Sequence, residues 1–195
     1  MVRGVEALIR RGMPWERRMA EDDGPNREEA ERALAELHPV SLGWALTCCR
    51  FDREEAEEVL QTSYLKILEG RARFNGHSSL RTWLFGIVRR TAAERRRFRI
   101  VRGLSLARWN HRQPDSSPLP TPEGLSAQAE QQDRLRRMLL RLSPRQRELL
   151  HLVFYQELTI EEAAGVLGIS VGSARVHYER GKAAVRRMLA EDGEN

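Results

Sequence analysis

The sequence lacks long hydrophobic runs and contains few cysteine and aromatic residues. No stretch of its 195 residues approaches the roughly 18 consecutive apolar residues of a membrane-spanning helix, so we expect no membrane insertion. The first residues are not a secretory signal, because Arg10 and Arg11 interrupt a short apolar run and acidic residues follow. Together these absences predict a cytoplasmic protein.

The two cysteines, Cys48 and Cys49, are neighbours, and a disulfide between adjacent residues would close a strained ring. There is no second cysteine pair to build a zinc site, and the histidines are scattered. We therefore predict no metal and no cofactor, and we expect the cysteines to be buried as small apolar side chains rather than used for sensing. The clustered glutamates of residues 54–58 have no nucleophile or histidine beside them, so the chain is not expected to be an enzyme.

Charge and hydrophobic periodicity describe what the chain does contain. Lys and Arg number 33 against 28 Asp and Glu, which gives a net charge of +5 and is compatible with a polyanionic partner. Apolar residues recur at intervals of three and four, and no segment shows the two-residue alternation of a strand. The predicted fold is all-α: two small helical domains joined by an extended, proline-rich acidic linker, with a helix-turn-helix in the second domain.

The first domain is predicted to contain four helices. One begins near Glu28, and Pro39 suits the first turn of a second helix. Asp52 is a candidate N-cap for a third helix, whose first turn is rich in glutamate. Ser78 or Ser79 then caps a long fourth helix with one apolar face.

The end of the fourth helix is strongly basic. Residues 89–112 hold nine arginines and a single acidic residue, Glu94. A solvated helix face is the usual explanation of a charge run, but pairing between neighbouring turns of one helix cannot neutralise so uneven a set. We therefore favour a surface that faces phosphates.

The composition then changes. Residues 113–133 contain no Lys or Arg, four acidic residues and four prolines, which predicts an extended linker. The predicted organisation is an N-terminal extension at 1–27, a first domain at 28–102, a linker at 103–126, a second domain at 127–190 and a tail at 191–195.

The second domain carries the strongest local signal. Ser143 and Pro144 open one helix, and Thr159 with Glu162 forms a capping box that opens the next. A tight turn at 168–170 leads into a capped last helix, which favours a helix-turn-helix over a plain helical hairpin. Such a motif places its second helix in the major groove of DNA. The outward positions of this helix include Arg175, Val176, Glu179, Arg180, Lys182, Arg186 and Arg187.

Four segments resemble, in order, motifs of one known family. Residues 55–65 and 74–87 are similar to its D-A-E-D-L-V-Q-E-T-F-L and R-F-x-G-x-S-x-F-x-x-W-L-Y-x-I motifs. Residues 142–147 with 158–164 are similar to the opening of its C-terminal domain, and residues 168–175 to the start of its recognition helix. The family is the extracytoplasmic-function (ECF) group of bacterial sigma factors, and the resemblance covers most of the chain.

The resemblance implies a protein that binds core RNA polymerase, directs it to promoters and helps to open the duplex. The first domain would hold the polymerase clamp helix and read the −10 element, while the second would sit on the polymerase flap and read the −35 element. An anti-sigma factor is a further implied partner. The implied polymerase-binding residues are Glu57, Glu58, Leu60 and Gln61; the −10 residues are Asn75, His77, Arg90, Arg95 and Arg96; the −35 residues are Ser173, Arg175, Val176, Glu179, Arg180 and Lys182.

Three positions qualify this resemblance. Trp83 stands at the family's tryptophan position, and its spacing with Leu80 favours core packing over DNA contact. Arg90 stands where the family often has an asparagine that reads a flipped base, so we expect it to read a different base or hold a phosphate. Gly181, inside the last helix, is expected to cost about 1 kcal/mol relative to alanine.

Two other functions remain as alternatives. A sigma-like module that binds an anti-sigma protein without touching DNA would need neither the arginine run nor a basic last helix. A stand-alone helix-turn-helix regulator would need a dimerisation or ligand-binding domain, which the first half of the chain does not resemble.

Overall fold

The computed structural model describes residues 27–109 and 127–193, and the regular structure in these ranges is entirely helical, which confirms the all-α prediction. The predicted extension up to residue 26 and residues 110–126 of the predicted linker lie outside the described residues. The helices are α1 (Arg27–Cys48), α2 (Arg53–Leu68), α3 (Leu80–Trp109), α4 (Ala127–Arg141), α5 (Pro144–Leu150), a π-helical turn (His151–Tyr155), α6 (Ile160–Leu167) and α7 (Val171–Gly193).

The helices on either side of the linker are longer than the composition indicates. Helix α3 continues to Trp109, beyond the predicted domain boundary at 102, and α4 begins at Ala127. Residues 127–133 are therefore helical, and the expectation that they are extended is wrong. The four prolines of this stretch all precede residue 123, and the Ala, Gln and Glu residues that follow are good helix formers.

The first two predicted helices are one. Pro39 lies inside α1 instead of starting a new helix. A proline removes one backbone hydrogen bond from a helix interior, but the buried face keeps a single helical phase on both sides of it. Leu34 precedes it and Trp44 follows it, exposed by 4% and 0%, and the Trp44 indole donates to the Phe85 carbonyl oxygen at 2.9 Å. Burial on both sides of Pro39 holds the helix together.

The helix starts, by contrast, follow local sequence. Asp52 accepts from the Glu55 backbone N–H at 3.0 Å, and Ser79 accepts from that of Thr82 at 3.1 Å. The N-cap expected at Ser143 and the capping box expected at Thr159 are both present, and Ser143 also forms a capping box with Gln146. These predictions are confirmed because each cap is a contact within four residues of the chain.

Helices α1, α2 and α3 form the N-terminal half. One face of α3 is buried against the other two helices and includes Leu84 and Val88, both 0% exposed. Trp83 is partly buried and its ring meets that of Phe74 at 5.5 Å between centroids, in an edge-on contact. Its packing agrees with the expected structural role.

Helices α4 to α7 form the C-terminal half. The π-helical turn inserts an extra residue after α5 and changes which side chains point inward. Leu152 is buried, whereas Phe154 is 60% exposed. Gly181 allows α7 to lie close to α5, because an added Cβ would sit 3.2 Å from Leu150 and 3.3 Å from Gln146. The glycine that weakens the helix locally thus has a packing function.

The two halves are packed against each other. Helix α3 lies against α6, and the end of α1 lies against α5 and the π-helical turn. One hydrophobic core runs through both halves, joining residues such as Trp44 and Phe85 to Leu149, Leu152 and Leu167. The linker therefore connects two bundles that share a buried interface.

Candidate nucleic-acid interface

Helices α6 and α7 form the helix-turn-helix. Gly168 ends α6 with φ 58° and ψ 43°, a left-handed conformation in which glycine avoids the steric cost of a side chain. Ala164 and Ala174, exposed by 2% and 0%, let the two helices approach closely. Ser170 then caps α7 by accepting from the Ser173 N–H at 3.2 Å. Sequence and structure agree here because the motif is local.

The start of α7 presents an exposed polar face. Arg175 is the best placed of its side chains, with 67% exposure and an ion pair to Glu161 at 3.0 Å. The backbone hydrogen bond of Glu161 and the donated hydrogen bond from Arg175 lower the pKa of that carboxyl. This pair keeps the guanidinium extended at the front of the motif. Four further candidates share the exposed class: Ser173, Val176, Glu179 and Arg180.

Lys182 differs from the other candidates of α7. Its side chain is only 24% exposed and bonds to Glu179 at 3.0 Å. The ammonium group also lies 4.9 Å from the centre of the Tyr178 ring, a cation–π contact. In this structure Lys182 therefore anchors the side of α7.

A second basic feature lies at the end of α2. A cleft of about 360 Å³ opens there between α2, α3 and the loop that joins them. Lys66 is tied to Glu94 at 2.6 Å and Arg71 to Glu69, whereas Arg73 carries no ion pair among the described residues. The lining residues are Lys66, Arg71, Ala72, Arg73, Trp83, Ile87, Arg90, Thr91 and Glu94.

The cleft combines cations with an aromatic edge, which suits an unstacked base and its phosphate. Arg90, a predicted −10 residue, lines it and is exposed. Asn75 and His77 are exposed in the loop before α3, where the Asn75 carboxamide oxygen accepts from the His77 N–H at 3.3 Å, and neither lines the cleft. Sequence reasoning missed Lys66 and Arg73, because only the folding of α2 against α3 brings them beside Arg90.

The arginine run is partly neutralised by acids from other helices. Arg95 bonds to Glu55 at 3.4 Å and also to Glu58, and Arg99 bonds to Glu55 at 2.9 Å. Arg89 pairs with Glu148 of α5 at 3.2 Å. As expected, ion pairs within α3 do not neutralise the positive charge of the arginine run. Ion pairs with acidic residues of other helices neutralise part of it. Exposed members of the run that remain are Arg90, Arg96, Arg97 and Arg102.

The polymerase-binding candidates lie on α2. Glu57, Glu58 and Gln61 are exposed, but Leu60 is 2% exposed and packs inside the core. The apolar side chain on the exposed face is instead Leu65, which is 46% exposed and stands one helical turn after Gln61. Leu65 could have been identified from the sequence, because it follows Gln61 by four residues and so lies on the same face of the helix.

The cysteines are free and pack at the edge of the core. Burial raises the pKa of the Cys48 thiol well above its usual range and that of Cys49 to about 12. Both are therefore neutral thiols near pH 7, which agrees with their expected use as small apolar side chains.

Family models match both halves of the chain. Sigma-70 region 2 matches residues 35–102, and Sigma-70 region 4 matches residues 132–185, together more than half of the chain. RNA polymerase sigma factor YlaC of Bacillus subtilis is 28% identical over 141 residues, which are 72% of this chain and 81% of that protein. ECF RNA polymerase sigma factor SigX of the same organism is 28% identical over 165 residues, 83% of this chain and 84% of SigX. RNA polymerase sigma factor CarQ of Myxococcus xanthus is 29% identical over 141 residues, which are 70% of this chain and 75% of CarQ.

Solved structures show the same fold. The sigma factor RpoE of Bartonella quintana, in complex with the anti-sigma factor NepR, gives a TM-score of 0.64 at 21% identity over 82% of this chain and 96% of RpoE. CnrH, in complex with the cytosolic domain of CnrY, gives a TM-score of 0.62 at 20% identity, over 91% of this chain and 96% of CnrH. Within residues 27–109 and 127–193, no helix has the length and apolar content needed to cross a membrane.

Proposed function

The chain belongs to the sigma-70 family as an RNA polymerase sigma factor of the ECF type, and from this premise we propose which of its surfaces carry out promoter-specific initiation. A sigma factor binds core RNA polymerase and promoter DNA and supplies recognition, while the polymerase supplies the chemistry. The observation that carries the assignment is the match of both family regions, each with a basic surface of its own.

The exposed face of α7 is proposed to read the −35 element. Arg175 and Arg180 lead this surface because a guanidinium can donate two hydrogen bonds to a guanine edge. Ser173, Val176 and Glu179 share the face, and Lys182 supports it from the side.

The cleft beside α3 is proposed to take an unpaired base of the −10 element. Arg90 and Arg73 supply the positive charge, and the partly buried Trp83 supplies an aromatic wall. The exposed Asn75, His77 and Arg96 would contact the neighbouring strand, and Arg95 would hold α3 in place through its acids on α2.

The exposed face of α2 is proposed to bind the polymerase clamp helix. Glu57, Glu58 and Gln61 provide its polar contacts, and Leu65 provides the apolar contact that Leu60, buried in the core, does not. We place the first domain at 28–102 and the second at 127–190, and we propose that the second sits on the polymerase flap.

We also propose an anti-sigma factor as a partner. The proposal is supported by the similar structure of RpoE bound to the anti-sigma factor NepR and by that of CnrH bound to the cytosolic domain of CnrY. The protein would act in the cytoplasm, where promoters and polymerase are, without catalysis of its own and without a cofactor.

Run-off transcription with purified core polymerase and a library of genomic promoters tests this function. We expect the chain to co-elute with core polymerase and to start transcription at a defined set of promoters. A gel shift on promoter DNA should require the polymerase. A shift without polymerase would instead indicate a stand-alone regulator, and binding to an anti-sigma protein without any initiation would indicate a sigma-like module.

A further inference from the structure

The free polar groups of the cleft beside α3 are hydrogen-bond donors. Its side-chain acceptors belong to Thr91 and Glu94, and Lys66 engages both. The Lys66 ammonium group donates to the Thr91 hydroxyl oxygen at 3.1 Å and to the Glu94 carboxylate at 2.6 Å. Arg73 and Arg90 line the same cleft, and neither has an ion pair with a residue in the ranges 27–109 and 127–193. The cleft therefore suits a ligand that presents acceptor atoms to guanidinium groups.

Arg90 shares one face of α3 with the aromatic wall of the cleft. Trp83, Ile87 and Arg90 follow one another at intervals of four and three residues, so they lie on the same side of the helix. Two helical turns separate Trp83 from Arg90, which is about 10 Å along the helix axis. Helical side chains lean toward the start of the helix, so Arg90 is directed toward the Trp83 ring. A flat aromatic ligand placed between them can contact both the ring and the guanidinium.

The four bases differ in what they present to such donors. On the edge that faces the major groove in duplex DNA, guanine has two neighbouring acceptors, O6 and N7, and arginine binds them with two hydrogen bonds. Adenine places its N6 amino donor beside N7, and a guanidinium cannot accept from that amino group. The same edge of cytosine carries the N4 amino donor, and that of thymine carries one acceptor beside a methyl group. Guanine is therefore the base that matches a donor lining.

The two unpaired arginines differ in how firmly the fold positions them. Arg90 lies inside α3, which is continuous from Leu80 to Trp109, whereas Arg73 lies in the loop before that helix. Reading a base requires donors at fixed positions, and a helix holds a side chain more precisely than a loop does. A phosphate contact fixes orientation without carrying sequence information, so a loop arginine is sufficient for it. Arg90 is therefore suited to read a base, and Arg73 is suited to hold the phosphate.

We propose that Arg90 makes this cleft select an unpaired guanine of the −10 element by donating to O6 and N7, with the base beside Trp83 and its phosphate at Arg73. The inference rests on the proposed function, in which the cleft takes an unpaired base, and adds which base and which of its atoms are read. Selection is strongest against adenine, because the guanidinium that binds guanine faces the N6 amino group of adenine. A bidentate contact of this kind discriminates by about 5- to 150-fold in affinity.

Binding of holoenzyme to forked promoter DNA measures the base preference. The DNA comes from a promoter identified by run-off transcription, is double-stranded upstream and is unpaired over the −10 element. Each unpaired position carries each of the four bases in turn. We expect the wild-type holoenzyme to prefer guanine over adenine by about 5- to 150-fold at one of these positions. A profile in which no unpaired position prefers guanine to the other three bases overturns the proposal.

A modified base tests the contacted atom without any change to the protein. Replacing the preferred guanine by 7-deazaguanine removes the N7 acceptor and leaves O6 and the Watson–Crick edge in place. We expect the wild-type holoenzyme to bind this DNA about fivefold more weakly or worse, because a hydrogen bond from a charged donor is lost. Unchanged binding would show that N7 is not read and would refute the proposal, whether or not the protein variants fold.

Two variants of Arg90 separate base reading from charge. Arg90→Gln replaces the guanidinium by an amide, which pairs with N6 and N7 of adenine. We expect the ratio of guanine to adenine affinity to fall at least about fivefold and the response to 7-deazaguanine to disappear. Arg90→Lys keeps a donor for O6 and N7 and should retain the guanine preference. A loss of equal size with all four bases in Arg90→Gln would indicate a phosphate contact and contradict the proposal.

The matched control is Arg97→Gln, which removes an exposed arginine of α3 that does not line the cleft. This variant should change neither the base preference nor the response to 7-deazaguanine, and a shift as large as that of Arg90→Gln would attribute the effect to net charge and overturn the proposal. Arg73→Gln should weaken binding of all four bases by a similar factor. Failure of the proposed function would look different, because the wild-type holoenzyme would then not bind the forked DNA with any base.

Discussion

Arg175 allows the sharpest test of promoter recognition. Its guanidinium is 67% exposed at the front of the helix-turn-helix and is aligned by Glu161 at 3.0 Å. Arg175→Ala removes this donor and should leave the core intact, because the Arg175 side chain is exposed and pairs with the exposed Glu161. The substitution also favours the helix slightly, so a loss of binding cannot be attributed to unfolding.

The expected loss follows from the chemistry of a bidentate contact. A good arginine–guanine pair discriminates by about 1–3 kcal/mol, which is about 5- to 150-fold in affinity. Giving up the ion pair with Glu161 on DNA binding costs little of this free energy, because both partners are exposed to water. Glu161→Gln should therefore not weaken binding, since it frees the guanidinium and removes a negative charge near the DNA.

The assay is binding of holoenzyme to a dependent promoter and to variants with single changes in the −35 element. Arg175→Ala should weaken holoenzyme binding to the wild-type promoter. It should also reduce the difference in affinity between that promoter and the variant in which the contacted base pair is changed, with the affinity for core polymerase unchanged. Arg137→Ala, an equally exposed arginine of α4, serves as the control and should have no effect. Equal binding and equal discrimination by Arg175→Ala would refute the assignment, while a uniform loss at all sequences would indicate a phosphate contact.

Three further predictions concern stability. Gly165→Ala should raise the free energy of unfolding by about 1 kcal/mol, because a Cβ there meets nothing within 4 Å, whereas Gly168→Ala should lower it by about 1–2 kcal/mol because its φ is 58°. Thermal denaturation should show shifts of opposite sign, and equal shifts would contradict the backbone argument. Gly181→Ala should not gain the stability that Gly165→Ala gains, because its Cβ would lie 3.2 Å from the Leu150 side chain and crowding costs about 1–3 kcal/mol. Burial lowers the pKa of His151 to about 4 from 6.5, so its neutral form contributes fully above pH 6.5 and its contribution is lost as the pH falls toward 4. Denaturation at several pH values should show the wild type losing stability faster than His151→Gln over that range, and parallel curves would exclude this cause.

Much of the candidate site could be read from the sequence because its determinants are local. The caps at Asp52, Ser143 and Thr159 act over three residues, and the turn at Gly168 acts over five. The exposed face of α7 follows from helical periodicity once the turn is located. The family motifs can be identified from the sequence for the same reason, since each lies within a short continuous segment of the chain.

The features that sequence reasoning misplaced depend on contacts between distant residues. Pro39 does not break α1 because burial of residues on both sides outweighs one missing hydrogen bond. Leu60 and Leu65 differ in exposure although both are leucines of α2. Three arginines of the run, Arg89, Arg95 and Arg99, are paired with acids from other helices, and Glu55 alone pairs with two of them.

The sequence by itself determined the all-helical fold, the capped helix starts at Asp52, Ser143 and Thr159, the helix-turn-helix and the family, since short-range hydrogen bonds and periodic burial act within one segment. Only the tertiary structure decided which charges remain free, where a basic cleft forms around Arg90, and that the halves share a core closed over Glu148 and His151. These outcomes depend on desolvation, and a side chain is desolvated only by the residues that the fold brings against it, whatever their distance along the chain.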